Sequence, residues 1–169
     1  MAITRLNNNS VTSVSALPNL ASLPSGITTG KVLQVVQGQN ATSIHTNGTS
    51  NFDIVTATIT PTSASSTIFM IGNVMGIEDG NGSANTRIDI KLFRDSTQIM
   101  TSNANHWSFN TNQERDGGFA INYKDSPSST SSITYKIVGA WLDTGGNQCG
   151  VNKDSNSGYS TLTLMEVAS

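Results

Sequence analysis

The chain has 169 residues, 12% of them charged, and a formal net charge of −2. That length supports one domain with a real core and is too short for two comfortable ones. Nine scattered basic residues argue against electrostatic capture of nucleic acid, which needs clustered Lys and Arg, and the single cysteine, Cys149, excludes an internal disulfide framework or a cysteine zinc site.

The first element is a segment without the period of a helix or a strand. In "VTSVSALPNLASLPSG", residues 11–26, an apolar residue stands at every third position: Val11, Val14, Leu17, Leu20 and Leu23. On an α-helix a step of three falls short of a full turn, so five such steps smear around the cylinder. Pro18 would also remove a helical hydrogen bond. A strand wants a period of two. Polyproline II has three residues per turn and lines all five up in one stripe. Such a stripe is too thin to be a core, so residues 1–30 are expected to be an extended anchoring arm. Its partner-binding side chains would be Ile3, Leu6, Val11, Val14, Leu17, Leu20 and Leu23. The bland alternative is a loose segment whose spacing is an accident of its Ser- and Leu-rich composition. "PSGITTG" (24–30) reads as a hinge. The start, "MAITRLNNNS", lacks a basic stretch followed by an apolar one, and no apolar run approaches membrane-spanning length. Synthesis in a cytoplasm, without membrane insertion, is the expectation.

Residues 31–169 are expected to form an all-β domain. "KVLQVVQG" begins the first strand, and "FDIVTATIT" (52–60) and "STIFMIGNVM" (66–75) follow, joined by a turn opened by Pro61. "TRIDIKLFRDSTQIMTS" (86–102) reads as a hairpin. Ile88, Ile90 and Leu92 face one way, and Asp89 and Lys91 the other. "GGFAINY" (117–123) is another strand. In "SITYKIVGAW" (132–141), Ile133, Tyr135, Ile137, Gly139 and Trp141 share one face. "GYSTLTLMEV" (158–167) closes the chain with Leu162 and Leu164 inward. Eight or more strands joined by Asn/Gly/Ser turns, with no helical stretch of ten residues, predict an antiparallel sandwich or jelly roll.

Sites are sparse. His45 and His106 are the only imidazoles, and there is no Gly-x-Ser-x-Gly elbow, so no catalytic residue is expected. Glu78, Asp79, Asn81 and Asn85 in "GIEDGNGSANTR" offer oxygens to a cation but miss the EF-hand spacing; a solvated turn is the stronger reading. Trp141 fits the core by its alternation. Trp107 is the one aromatic left for ligand contact. No cofactor or metal site is read.

Taken in order, "ITRLNNNSVTSVSALP", "SGITTGKVLQVVQ", "ITPTSASSTIFMIGNV", "LFRDSTQI", "SPSSTSSITYKI" and "STLTLMEV" resemble small virion-associated proteins of tailed bacteriophages, marine ones especially, described as structural, fibre or decoration proteins. The resemblance covers almost the whole chain and rests on the order of six segments rather than on one specific motif. It implies a jelly roll of the trimer-forming kind on the virion surface. The leading expectation is a capsid decoration or cement protein, a homotrimer bound to the major capsid protein through residues 1–30. A short tail or head fibre that binds a host receptor or surface glycan is the second. A lectin or glycan hydrolase is the alternative of another class.

Overall fold

The computed structural model describes residues 31–80, 86–101, 108–109, 116–143, 148–152 and 159–168. The arm, residues 1–30, and the segment holding Trp107 lie outside the described residues. Among the described residues, eleven strands run β1 (Val32–Asn40), β2 (Ile44–Thr46), β3 (Phe52–Ile59), β4 (Thr67–Gly80), β5 (Thr86–Arg94), β6 (Thr97–Thr101), β7 (Ser108–Phe109), β8 (Asp116–Asp125), β9 (Ile133–Asp143), β10 (Gln148–Val151) and β11 (Ser160–Val167).

All pairings are antiparallel, and they build two sheets. In sheet A, β4 lies between β8 on one side and β11 and β10 on the other. β11 then pairs with β1, and β10 with β2. In sheet B the order is β3, β9, β5, β6, with β7 also on β5. Glu78 of β4 pairs with both Asp116 of β8 and Gly150 of β10, so β10 lies on the β11 side of β4. By the same logic β2 prolongs the line of β1, and β7 that of β6. Eleven segments thus fill eight strand positions. Numbered along the chain, these positions lie in the order 1-8-3-6 in one sheet and 2-7-4-5 in the other. That is the double Greek key of a jelly roll.

Alternation decides which side chains meet between the sheets. Ile88, Ile90 and Leu92 of β5, Tyr135, Ile137 and Trp141 of β9, Ile68 and Met70 of β4, and Leu162 and Leu164 of β11 are wholly buried in one core. Each large apolar side chain taken from water contributes about 1.5–3 kcal/mol.

The open sides of the sandwich are stitched by side chains. On one side, β1 runs antiparallel to β3 without a backbone ladder. The Gln34 amide donates to Thr60 O at 2.7 Å and the Asn40 amide to Ile54 O at 2.7 Å. Between them a Cβ on Gly38 would collide with the Thr56 carbonyl, so glycine lets the two backbones touch there. Each step up β1 is matched by an equal step back along β3. On the other side, Tyr123 of β8 donates to Ile99 O of β6 at 2.9 Å, and Arg94 of β5 meets Asp125 of β8 at 3.0 Å.

Three strand positions of sheet A break at one level. β1 gives way to β2 at 41–43, β10 and β11 part after Val151, and β4 shifts register against β8 between Val74 and Ile77. Asn152, fully buried with φ 56°, ties these breaks together. Its amide donates to Thr42 O at 3.0 Å, its backbone N–H donates to Met75 O at 2.9 Å, and its carboxamide oxygen accepts from Ser160. The Ser160 hydroxyl in turn accepts from Met75 N–H at 3.1 Å.

The sequence reading missed β2, β7 and β10. They have three, two and four residues, too few to display an alternation. Glu78 and Asp79 were expected in a turn. They belong instead to β4, which runs on to Gly80 against β10. Pairing on both sides, not local turn chemistry, extends the strand there.

Candidate functional site: the apolar end of sheet A

The outer face of sheet A changes character along its length. Val35, Met165, Phe69 and Lys124 form one cross-strand row; Gln37, Thr163, Ile71 and Asn122 form the next; Gln39, Thr161, Asn73 and Ala120 form the third. The third row is polar or small, whereas the first presents three apolar side chains to the outside. Val35 is 57% exposed, Phe69 40% and Ile71 46%, and Leu33 is exposed beside them. Val32 and Val167 pair at the extreme end of the same face.

Facing inward at that end is the opposite chemistry. Along β11 the inward series runs Ser160, Leu162, Leu164, Glu166, and all four are buried. Glu166 is a wholly buried carboxylate in a row with Gln34, Ile68 and Asp125. One oxygen accepts from Thr62 N–H at 2.7 Å and from the Thr62 hydroxyl at 2.8 Å; the other accepts from Gln34 Nε2 at 2.7 Å. Burial by itself raises the pKa of this group. Hydrogen bonds from Gln34 and Thr62 outweigh burial and lower it to about 2. At this end a buried, hydrogen-bonded carboxylate therefore sits inside among core side chains, beneath an apolar outer row.

Chain continuity fixes what lies beside this end. Ala168 N–H donates to Lys31 O at 2.9 Å, so the described chain enters and leaves here. The connections that cross this end are short: residues 60–66, Asp95–Ser96 and residues 126–132. Asp95, at φ 52°, donates its N–H to Thr134 O at 2.7 Å and accepts from Thr134 N–H at 2.9 Å, which clasps the hairpin to β9. Inside it, the Tyr135 hydroxyl donates to Asp125 at 2.7 Å. Burial, then the bond and charge of Asp125, push the phenol well above its ordinary range. Residues 47–51 cross the opposite end, where the strand ends that bear segments 81–85, 110–115 and 144–147 also lie.

The sequence-expected residues divide accordingly. Ile88, Ile90, Leu92, Trp141, Leu162 and Leu164 are core. The arm residues Ile3, Leu6, Val11, Val14, Leu17, Leu20 and Leu23, and Trp107, lie outside the described residues. The structure brings forward a group that sequence reasoning passed over: Val35, Phe69, Ile71 and Met165 outside, Glu166 inside. The signal was present in "LTLMEV", where apolar residues change parity after Leu164.

On the outer face of sheet B a shallow hollow is lined by Asn51, Asp53, Phe93, Asp95, Ser96, Lys136 and Val138. Its polar groups are engaged. Lys136 meets Asp53 at 2.7 Å, and Asp95 holds Thr134 N–H.

No family model matches the chain, and no curated protein does. Among solved structures it is similar to that of infectious bursal disease virus, Gt strain, with a TM-score of 0.44 and 13% identity, covering 80% of this chain and 38% of that one. It is similar to a T=1 particle derived from infectious bursal virus, with a TM-score of 0.43 and 12% identity, covering 80% and 36%. It is also similar to the T13 particle of that virus, with a TM-score of 0.43 and 12% identity, covering 82% and 38%. The chain spans less than two fifths of the length of these neighbours.

Proposed function

We propose that the chain is a virion structural protein of a tailed bacteriophage, a capsid decoration or cement protein. In this reading residues 1–30 hold it to the major capsid protein, and the β domain stands on the virion surface as a homotrimer. The single observation that carries it is the polarity of the sandwich. The arm joins the domain at the end where the outside of sheet A turns apolar, while residues 47–51 and the strand ends Gly80, Phe109 and Asp143 lie at the other. A module with one end for attachment and one for display is what a decorated shell requires. The ordered resemblance of six segments points the same way. Each apolar side chain of residues 1–30 that finds a pocket on the particle would contribute about 1.5–3 kcal/mol.

The test is binding to purified particles. Leu17→Asp and Leu20→Asp should each lower occupancy without moving the melting temperature. Unchanged occupancy in both would remove the arm as the anchor. Copy number separates decoration from a second reading, a short head or tail fibre contacting a host glycan, which the same resemblance supports. Hundreds of copies per particle mean decoration; a few tens or fewer mean fibre.

A further inference from the structure

We propose that, before the protein meets a particle, residues 17–23 of its own chain lie across the outer face of sheet A and cover the row Val35–Met165–Phe69. Three observations meet here. The row is apolar and exposed, flanked on the same face by exposed Ile71 and by the Val32–Val167 pair, whereas the row further along, Gln39–Thr161–Asn73–Ala120, is polar or small. The chain enters the domain at the same end, through Lys31. And Leu17, Leu20 and Leu23 recur at every third position.

The spacings agree. A polyproline II segment advances about 9.3 Å in three residues. Strands two apart in a sheet, as β1 and β4 are on either side of β11, are separated by about 9.5 Å. A segment crossing the strands at right angles therefore sets successive leucines over successive pairs of strands. The three leucines span roughly 19 Å, against about 14 Å from β1 to β8. Lys124 ends the row on β8 and offers its aliphatic stem to the last leucine. Seven residues, 24–30, lie between Leu23 and Lys31, eight chain steps with a reach of up to about 28 Å, which exceeds the few rows to be crossed. Charge raises no obstacle, since Arg5 is the only charged side chain in residues 1–30.

A second copy of the domain is the weaker occupant. Three strands by three rows make a patch on the order of 200 Å², against about 800 Å² per partner in a stable interface. A single extended segment suits that size.

The experiment uses the full chain in solution without particles. Leu20→benzoylphenylalanine is irradiated and the crosslinked peptides are mapped. The expected product has the mass of a single chain, with crosslinks to residues 32–37, 67–73 or 161–167. A product of two-chain mass would transfer the seat to a second copy, and crosslinks confined to sheet B, or none, would remove it; each overturns the proposal. A second full-length variant, Leu17→Ser with Leu20→Ser and Leu23→Ser, should bind an apolar fluorescent dye several-fold more strongly than the parent while keeping a cooperative melting transition. Equal dye binding means that the row was already open and also overturns it. Neither readout involves the virion, so the seat can fail while anchorage stands, and the reverse.

Discussion

The two outer faces of the sandwich cover the same core and are finished differently. Outside sheet B, Lys136 pairs with Asp53 at 2.7 Å, Lys91 donates to Asn51 at 2.9 Å, and the Thr58 and Thr134 hydroxyls meet at 3.0 Å. Outside sheet A, at the end where the chain enters, Val35, Phe69 and Ile71 stand exposed. Sheet B therefore presents a surface of paired polar groups, on which Leu142 stands exposed singly. The end of sheet A presents one that gains by being covered, and scattered exposed apolar residues do not account for a row aligned across three strands.

The comparison requires that both inner faces share one core, and the largest effects test that. Ile90→Asp on sheet B and Met70→Asp on sheet A each bury an unpaired charge at a wholly buried position. Each should cost about 3–5 kcal/mol or abolish folding, read as loss of the cooperative thermal transition by circular dichroism. A normal melting curve for either would assign that strand face to the outside.

Glu166 comes next, because it marks where inside and outside exchange chemistry. Its folded pKa, about 2, lies below the ordinary 4.5. The depressed value means that its stabilisation is fully present above about pH 4.5 and is lost as pH falls towards 2. The loss should be on the order of 2–3 kcal/mol. Glu166→Gln should be less stable than the parent at pH 7 and should show a flatter decline over that window, measured by urea denaturation at several pH values. An equal decline in the variant would place the acid sensitivity elsewhere.

Smaller effects separate the outer faces themselves. On sheet B, Lys136→Met breaks a partly exposed ion pair and should change stability by less than about 1 kcal/mol, with the difference shrinking in high salt. On sheet A, Phe69→Ser should move the melting temperature least of all, within the roughly 0.5 kcal/mol typical of surface changes, yet it should reduce apolar dye binding of the leucine-to-serine variant. A large loss of stability from Phe69→Ser would show that this residue belongs to the domain's own packing.

The alternation in residues 86–102 and 132–141 was enough to place Ile90 and Trp141 in the core, because one face of each strand meets the other sheet and period two is then enforced. The short strands β2, β7 and β10 were not legible. They exist through pairing with partners distant in sequence, such as Cys149 with Thr46 and Asp79. The buried position of Glu166 was hidden for a related reason. A glutamate near the end of a strand is expected to face water, and only the convergence of Gln34 and Thr62, 132 and 104 residues away, makes the interior habitable for it. The apolar row was equally hidden, since Val35, Met165 and Phe69 are adjacent only through the register of three strands.

The place where the chain enters also has a mechanical consequence. A pull on residues 1–30, directed away from the domain, is applied at Lys31 along the axis of β1. Strand β1 is bonded to β11 from Gln34 opposite Glu166 to Asn40 opposite Ser160, and those bonds run perpendicular to the strands. The load is thus shared in shear by the whole ladder rather than opening it one bond at a time. In a single-molecule trace with the chain held at residue 1 and at residue 80, resistance should end in one abrupt rupture, not a gradual unzipping. Under the proposed anchorage, that response would hold the domain stiffly against sudden expansion of the surface beneath it.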